Sequence, residues 1–61
     1  MRVCAKKNVV VEDKKIFKHE EGTLVAVTRN TMVSDEYFYL VDFKEHGRLL
    51  VRQADFDILE R

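Results

Sequence analysis

Apolar residues in this chain gather in short runs separated by charged breaks, a rhythm of strands and turns more than of helices. The strongest run is Tyr37 to Arg52. There, two stretches rich in aromatic and branched residues flank the polar break Lys44, Glu45, His46, Gly47 and Arg48. That is the pattern of a β-hairpin whose turn uses glycine to reach positive φ, with Tyr37 to Lys44 and Leu49 to Arg52 as its arms. Side chains alternate across a strand, so Tyr37, Tyr39, Val41 and Phe43 share one face and Phe38, Leu40 and Asp42 the other. We assign Tyr39, Val41 and Phe43 to the core. Phe38 and Leu40 are then left outward, joined across the hairpin by Leu50 or Leu49.

The rest of the chain reads as shorter strands. Val3 to Glu12, with its β-branched Val9, Val10 and Val11, predicts a strand bent near Lys7 and Asn8. A turn at Glu12 to Lys15 returns it through Ile16 and Phe17 to the charged loop Lys18 to Gly22. A helix from Val11 to Glu21 is the rival, but it would have only Ile16 and Phe17 to bury and would gain little from packing. Gly22 to Thr28 is the next strand, and its continuous apolar character predicts cover on both faces or a place in a closed barrel. Arg29 to Glu36 is turn chemistry around two isolated apolar residues and predicts a flexible loop. The tail predicts one helical turn over Ala54 to Asp57 and a final strand at Ile58 and Leu59. The fold class expected is all-β: one domain over residues 1–61, a small five-stranded barrel with a single 3-10 turn before the last strand.

Composition narrows the function. The chain has 61 residues, so its core is small and there is no room for a second domain or a deep cleft. Eleven basic and eleven acidic residues cancel, leaving no overall field to draw nucleic acid or an anionic membrane. Cys4 is the single cysteine, which rules out an internal disulfide and favours a reducing, cytoplasmic setting. The N-terminal residues lack the apolar run of a signal peptide, and no stretch reaches the ~20 apolar residues that cross a bilayer, so no membrane association is expected.

Candidate chemistry is sparse. His19-Glu20-Glu21 opens like the zinc-protease motif, but the position for its second histidine holds Thr23. Cys4, His19 and His46 lack the close paired spacing of structural zinc sites, and Cys4 reads as a small apolar strand residue. Neither glycine begins a phosphate-cradling loop. His46 reads as a solvated turn residue. No catalytic residue, metal, cofactor or small-molecule substrate is expected.

Gly22 to Val27, Tyr39 to Phe43, Gly47 to Val51 and Asp55 to Leu59 together resemble the Src-homology-3-like (SH3-like) barrel superfamily, in particular its small bacterial and phage members and the KOW-type modules of transcription and translation proteins. The similarity spans residues 20–60 and lies in strands and turns. The branch that binds polyproline uses a tryptophan, a proline and an alanine-leucine-tyrosine-aspartate-tyrosine motif, all missing here, so polyproline binding is not expected. The KOW pattern implies more glycines than Gly22 and Gly47 and a basic surface.

Two functions follow as expectations. The first is a non-enzymatic interaction module, an adaptor, inhibitor or assembly subunit, that binds a protein partner or a second copy of itself. Phe38, Leu40 and Leu50 would be its anchors and Arg48 and Arg52 its polar rim. The second is a nucleic-acid-binding module in which Lys6, Lys7, Lys14, Lys15, Lys18 and Arg29 form a basic edge and Tyr37 or Phe38 stacks on unpaired bases.

Overall fold

The computed structural model describes residues 1–30 and 36–59, and over these the protein is built of antiparallel strands with one short 3-10 turn. The strands are β1 (Arg2–Ala5), β2 (Val9–Val11), β3 (Lys14–Ile16), β4 (Glu21–Asn30), β5 (Glu36–Phe43), β6 (Gly47–Arg52) and β7 (Phe56–Leu59), with the 3-10 turn η1 (Gln53–Asp55) before the last. Five of them form one sheet in the order β6-β5-β4-β1-β7, and β2 pairs with β3 as a separate ribbon. The all-β expectation holds. Closure differs from expectation: β6 and β7 are the edges of the five-stranded sheet, and no ladder joins them among the described residues. No helix among the described residues is long and apolar enough to cross a membrane.

The expected strand from Val3 to Glu12 is two elements. The chain bends at Lys6 and Lys7, so β1 pairs with β4 and β7 while β2 pairs with β3. The rival helix over residues 11–21 does not form, because the backbone turns back at Glu12 (φ 51°) and Asp13 (φ 69°). Positive φ at both central residues is what a two-residue hairpin of right-handed twist requires. The turn is thus shorter than expected, and Lys14 and Lys15 are already in β3. Asn8 Oδ1 accepts from the Lys18 N–H at 2.8 Å and closes the open end of the ribbon, and the His19 N–H donates to the Ala5 carbonyl at 2.9 Å and ties it to β1.

The core is a single cluster of Val3, Ala5, Ile16, Tyr39, Val41, Phe43, Leu49, Val51 and Phe56, with Val9, Val11 and Leu24 packed against it. Tyr39, Val41 and Phe43 are buried as their alternation predicts, and of the two β6 leucines Leu49 points inward, with Val51, and Leu50 outward. The buried Tyr39 keeps a polar partner, since its hydroxyl accepts a 3.2 Å hydrogen bond from Gln53 Nε2 in η1. Helical backbone covers Gln53–Asp55, starting one residue and ending two residues earlier than expected, and β7 begins at Phe56, two residues before the expected strand.

Two glycines have specific work. Gly47 closes the β5–β6 turn at φ 77°, a conformation L residues rarely adopt. Gly22 lets β4 lie tight against the side chains of its neighbour β5: a Cβ there would lie 2.5 Å from Val41 Cγ1.

β4 departs from expectation. Its register on β5 shifts between Leu24, opposite Val41, and Ala26, opposite Leu40. The extra residue, Val25, is a β-bulge that reverses the alternation, so Leu24 points inward and Ala26 outward. Past the bulge, β4 and the start of β5 outrun the core. Val27 is 53% exposed and Tyr37 42%, so the apolar run is not covered on both faces. The expected loop also begins later: Arg29 and Asn30 belong to β4 and Glu36 to β5, while residues 31–35 lie outside the described residues.

Candidate functional site

Strand pairing decides which outward side chains become neighbours, because directly opposed residues project from the same face. On the side of β4, β5 and β6 away from the core, three rows result. Thr23, Asp42 and Arg48 form one, Ala26, Leu40 and Leu50 the next, and Thr28, Phe38 and Arg52 the third. All five candidate contact residues, Phe38, Leu40, Arg48, Leu50 and Arg52, therefore stand on one face.

Leu50 is 45% exposed, and Val25 at the bulge adds further exposed apolar surface beside Ala26. Phe38 and Leu40 are half-buried, as expected of residues on the central strand of a three-strand face. The rim is polar: Arg52 Nη2 bonds Glu36 Oε2 at 3.1 Å, and Arg48 sits opposite Asp42. The arrangement is an apolar centre within a charged border, the composition of a protein contact surface. Sequence alternation found its β5 and β6 members. It missed Thr23, outward by simple alternation, and Val25, Ala26 and Thr28, because nothing in the residue types announces the bulge that turns Ala26 and Thr28 outward.

Val10 of β2 is 68% exposed and lines a groove of ≈450 Å³ together with Leu50 and Arg52. Consecutive residues of both strands, Val9–Val11 and Leu50–Arg52, border this groove. Since successive side chains of a strand point to opposite faces, it runs along strand edges. A second groove of ≈470 Å³ lies between η1–β7 and the start of β5, with Tyr37, Gln53 and Ile58 in its walls. Cys4, His19 and His46 line neither groove.

The basic candidates do not assemble into one edge. Lys6 and Lys7 are spent on Asp57 (3.7 Å) and Asp55 (3.5 Å), Lys14 and Lys15 alternate along β3, and Lys18 follows the ribbon. Arg29 stands at the far end of β4, its guanidinium 5.8 Å from the centroid of the Tyr37 ring, a cation–π contact that occupies the aromatic face proposed for base stacking.

His46 is not a solvated turn residue. Its Nε2 lies 3.2 Å from Glu20 Oε2 and its ring meets Phe43 edge-on at 6.0 Å. Glu20 also takes the Phe17 N–H at 3.2 Å through its other oxygen, so one carboxylate joins the β5–β6 turn to the segment entering β4. Cys4 is a free thiol within β1, half-buried. No cluster of three His, Cys, Asp or Glu side chains suited to a metal ion occurs among the described residues. Comparison with family models, with curated proteins and with solved structures returned no match.

Proposed function

We propose that this chain is a non-enzymatic interaction module on a small SH3-like scaffold, an adaptor, inhibitor or assembly subunit that binds protein through the outward face of β4, β5 and β6. One observation carries the reading: Leu40 and Leu50 are direct cross-strand partners on an exposed face, with Ala26 beside them and Phe38, Arg48 and Arg52 around them. Support for the scaffold comes from the strand order β6-β5-β4-β1-β7, the glycine that opens β4 and the single 3-10 turn before β7.

The energetic argument is one of alternatives. Removing apolar area from water returns about 25 cal/mol per Å², so a face carrying Val25, Leu40 and Leu50 gains from any apolar cover. The charged border fixes orientation and excludes partners of the wrong pattern more than it adds affinity. A photo-reactive amino acid at Leu40 tests the reading against the same group at Lys14. Position 40 is expected to give an adduct of defined mass in cells. Equal labelling from both positions, or none from 40, would remove the face as a contact surface.

A further inference from the structure

The outward face is graded in side-chain size across the sheet. Its β4 column is small (Thr23, Ala26, Thr28), its β6 column large (Arg48, Leu50, Arg52), and β5 between them carries Asp42, Leu40 and Phe38. Building on the contact-face reading above, we infer that the face is covered by the same face of a second copy of this chain, related by a two-fold axis running along β5.

A two-fold interface is isologous, so a patch that forms one must complement itself. Rotation about an axis along β5 exchanges the β4 and β6 columns and keeps each row. Leu50 of one copy then lies over Ala26 of the second, Arg52 over Thr28 and Arg48 over Thr23. Large meets small wherever the β4 and β6 columns face each other, as two packed sheets require when their inner side chains interdigitate, while each β5 residue meets its own copy on the axis.

Charge selects the same axis. The other in-plane two-fold, across the strands, would set Arg48 over Arg52 and Asp42 over Phe38. That opposes like charges and presses a carboxylate onto a phenyl ring, both costly. Along β5 the two Asp42 residues approach each other, but each is flanked by its own Arg48 on one side and the second copy's Arg48 on the other. The net charge of zero leaves no long-range repulsion between copies.

Area sets the strength. Strands ~4.8 Å apart and rows ~7 Å apart make a contact of about 14 by 20 Å, well short of the ~800 Å² per partner of a standard interface. The dimer is therefore weak and forms with concentration.

Sedimentation velocity from ~10 µM to ~1 mM tests it. The expected result is a mass rising from 7.2 kDa toward twice that value. Ala26→Glu, at an exposed position, is expected to weaken association at least ~10-fold with an unchanged thermal midpoint. Facing sheets stand ~10 Å apart, beyond the ~7 Å reach of a disulfide, so a short bismaleimide reports the pairing. With Cys4→Ser in both chains, mixed Ala26→Cys and Leu50→Cys variants are expected to cross-link to each other in preference to themselves. Monomer at every concentration, or preferential like-with-like links, would overturn the two-fold pairing and leave the contact face to the photo-labelling test. An Ala26→Glu chain that fails to fold would overturn both, since it would place Ala26 inside the structure.

Discussion

Replacing Gly22 by alanine introduces one methyl group where β4 lies tight against the side chains of its neighbour β5. The new Cβ would sit 2.5 Å from Val41 Cγ1, 3.1 Å from Phe43 Cδ1 and 3.2 Å from the Asp42 carbonyl oxygen. Val41 is fully buried and β-branched, so its methyl cannot swing away without leaving a preferred χ1 well and displacing its packed neighbours. Gly22 is not among the positive-φ residues, so the cost is steric and not conformational. Overpacking a core costs about 1–3 kcal/mol, and relief of glycine's unfolded-state entropy returns about 0.4–1 kcal/mol. The net loss is about 1–2 kcal/mol, a thermal midpoint ~8–16 °C lower in a chain this short. Circular dichroism melts of the wild type, Gly22→Ala, Val41→Ala and the double variant measure it. Val41→Ala deletes the clashing atom, so Gly22→Ala should cost less in that background by about 1 kcal/mol. An unchanged or raised midpoint for Gly22→Ala, or strict additivity in the cycle, would refute the tight packing of β4 against β5.

Other expectations come from single contacts. Val41→Ala should cost about 2–4 kcal/mol and Leu50→Ala less than about 1 kcal/mol in urea unfolding, because the first is fully buried and the second is 45% exposed. Glu12→Asn with Asp13→Gly gives the β2–β3 turn the residues that positive φ favours, and should raise the thermal midpoint by several degrees, the equivalent of about 0.5–1 kcal/mol. His46→Ala removes both the Glu20 pairing and the edge contact with Phe43, and should cost about 1 kcal/mol in the same melts. His46→Phe should recover the packing share of that loss and not the share from the polar contact with Glu20.

Much of the hairpin was legible because a period of two is a strong constraint. With Tyr39, Val41 and Phe43 inward, Phe38 and Leu40 have no other side to occupy. The same reasoning misjudged β4. An apolar run from Leu24 to Val27 reads as covered on both faces, whereas a bulge at Val25 changes the alternation and the strand continues past the core, leaving Val27 exposed. The Glu12–Asp13 turn was placed too broadly because glutamate carries no signal for positive φ. His46 was misread for a different reason: its partner Glu20 lies far back in the chain, and only the folded sheet brings the two within 3.2 Å. Sheet closure depends on how strongly strands curl, which residue types near the edges do not report.

The most direct measurement is a paired one on Phe38→Ser with Leu40→Ser: its thermal midpoint and its association with protein. If both side chains serve an outward contact, the variant still folds, with a midpoint lowered only by the loss of two half-buried side chains (about 1–2 kcal/mol, ~8–16 °C), and association is lost. A variant that no longer folds, or that folds and associates unchanged, would contradict the assignment of this face to binding.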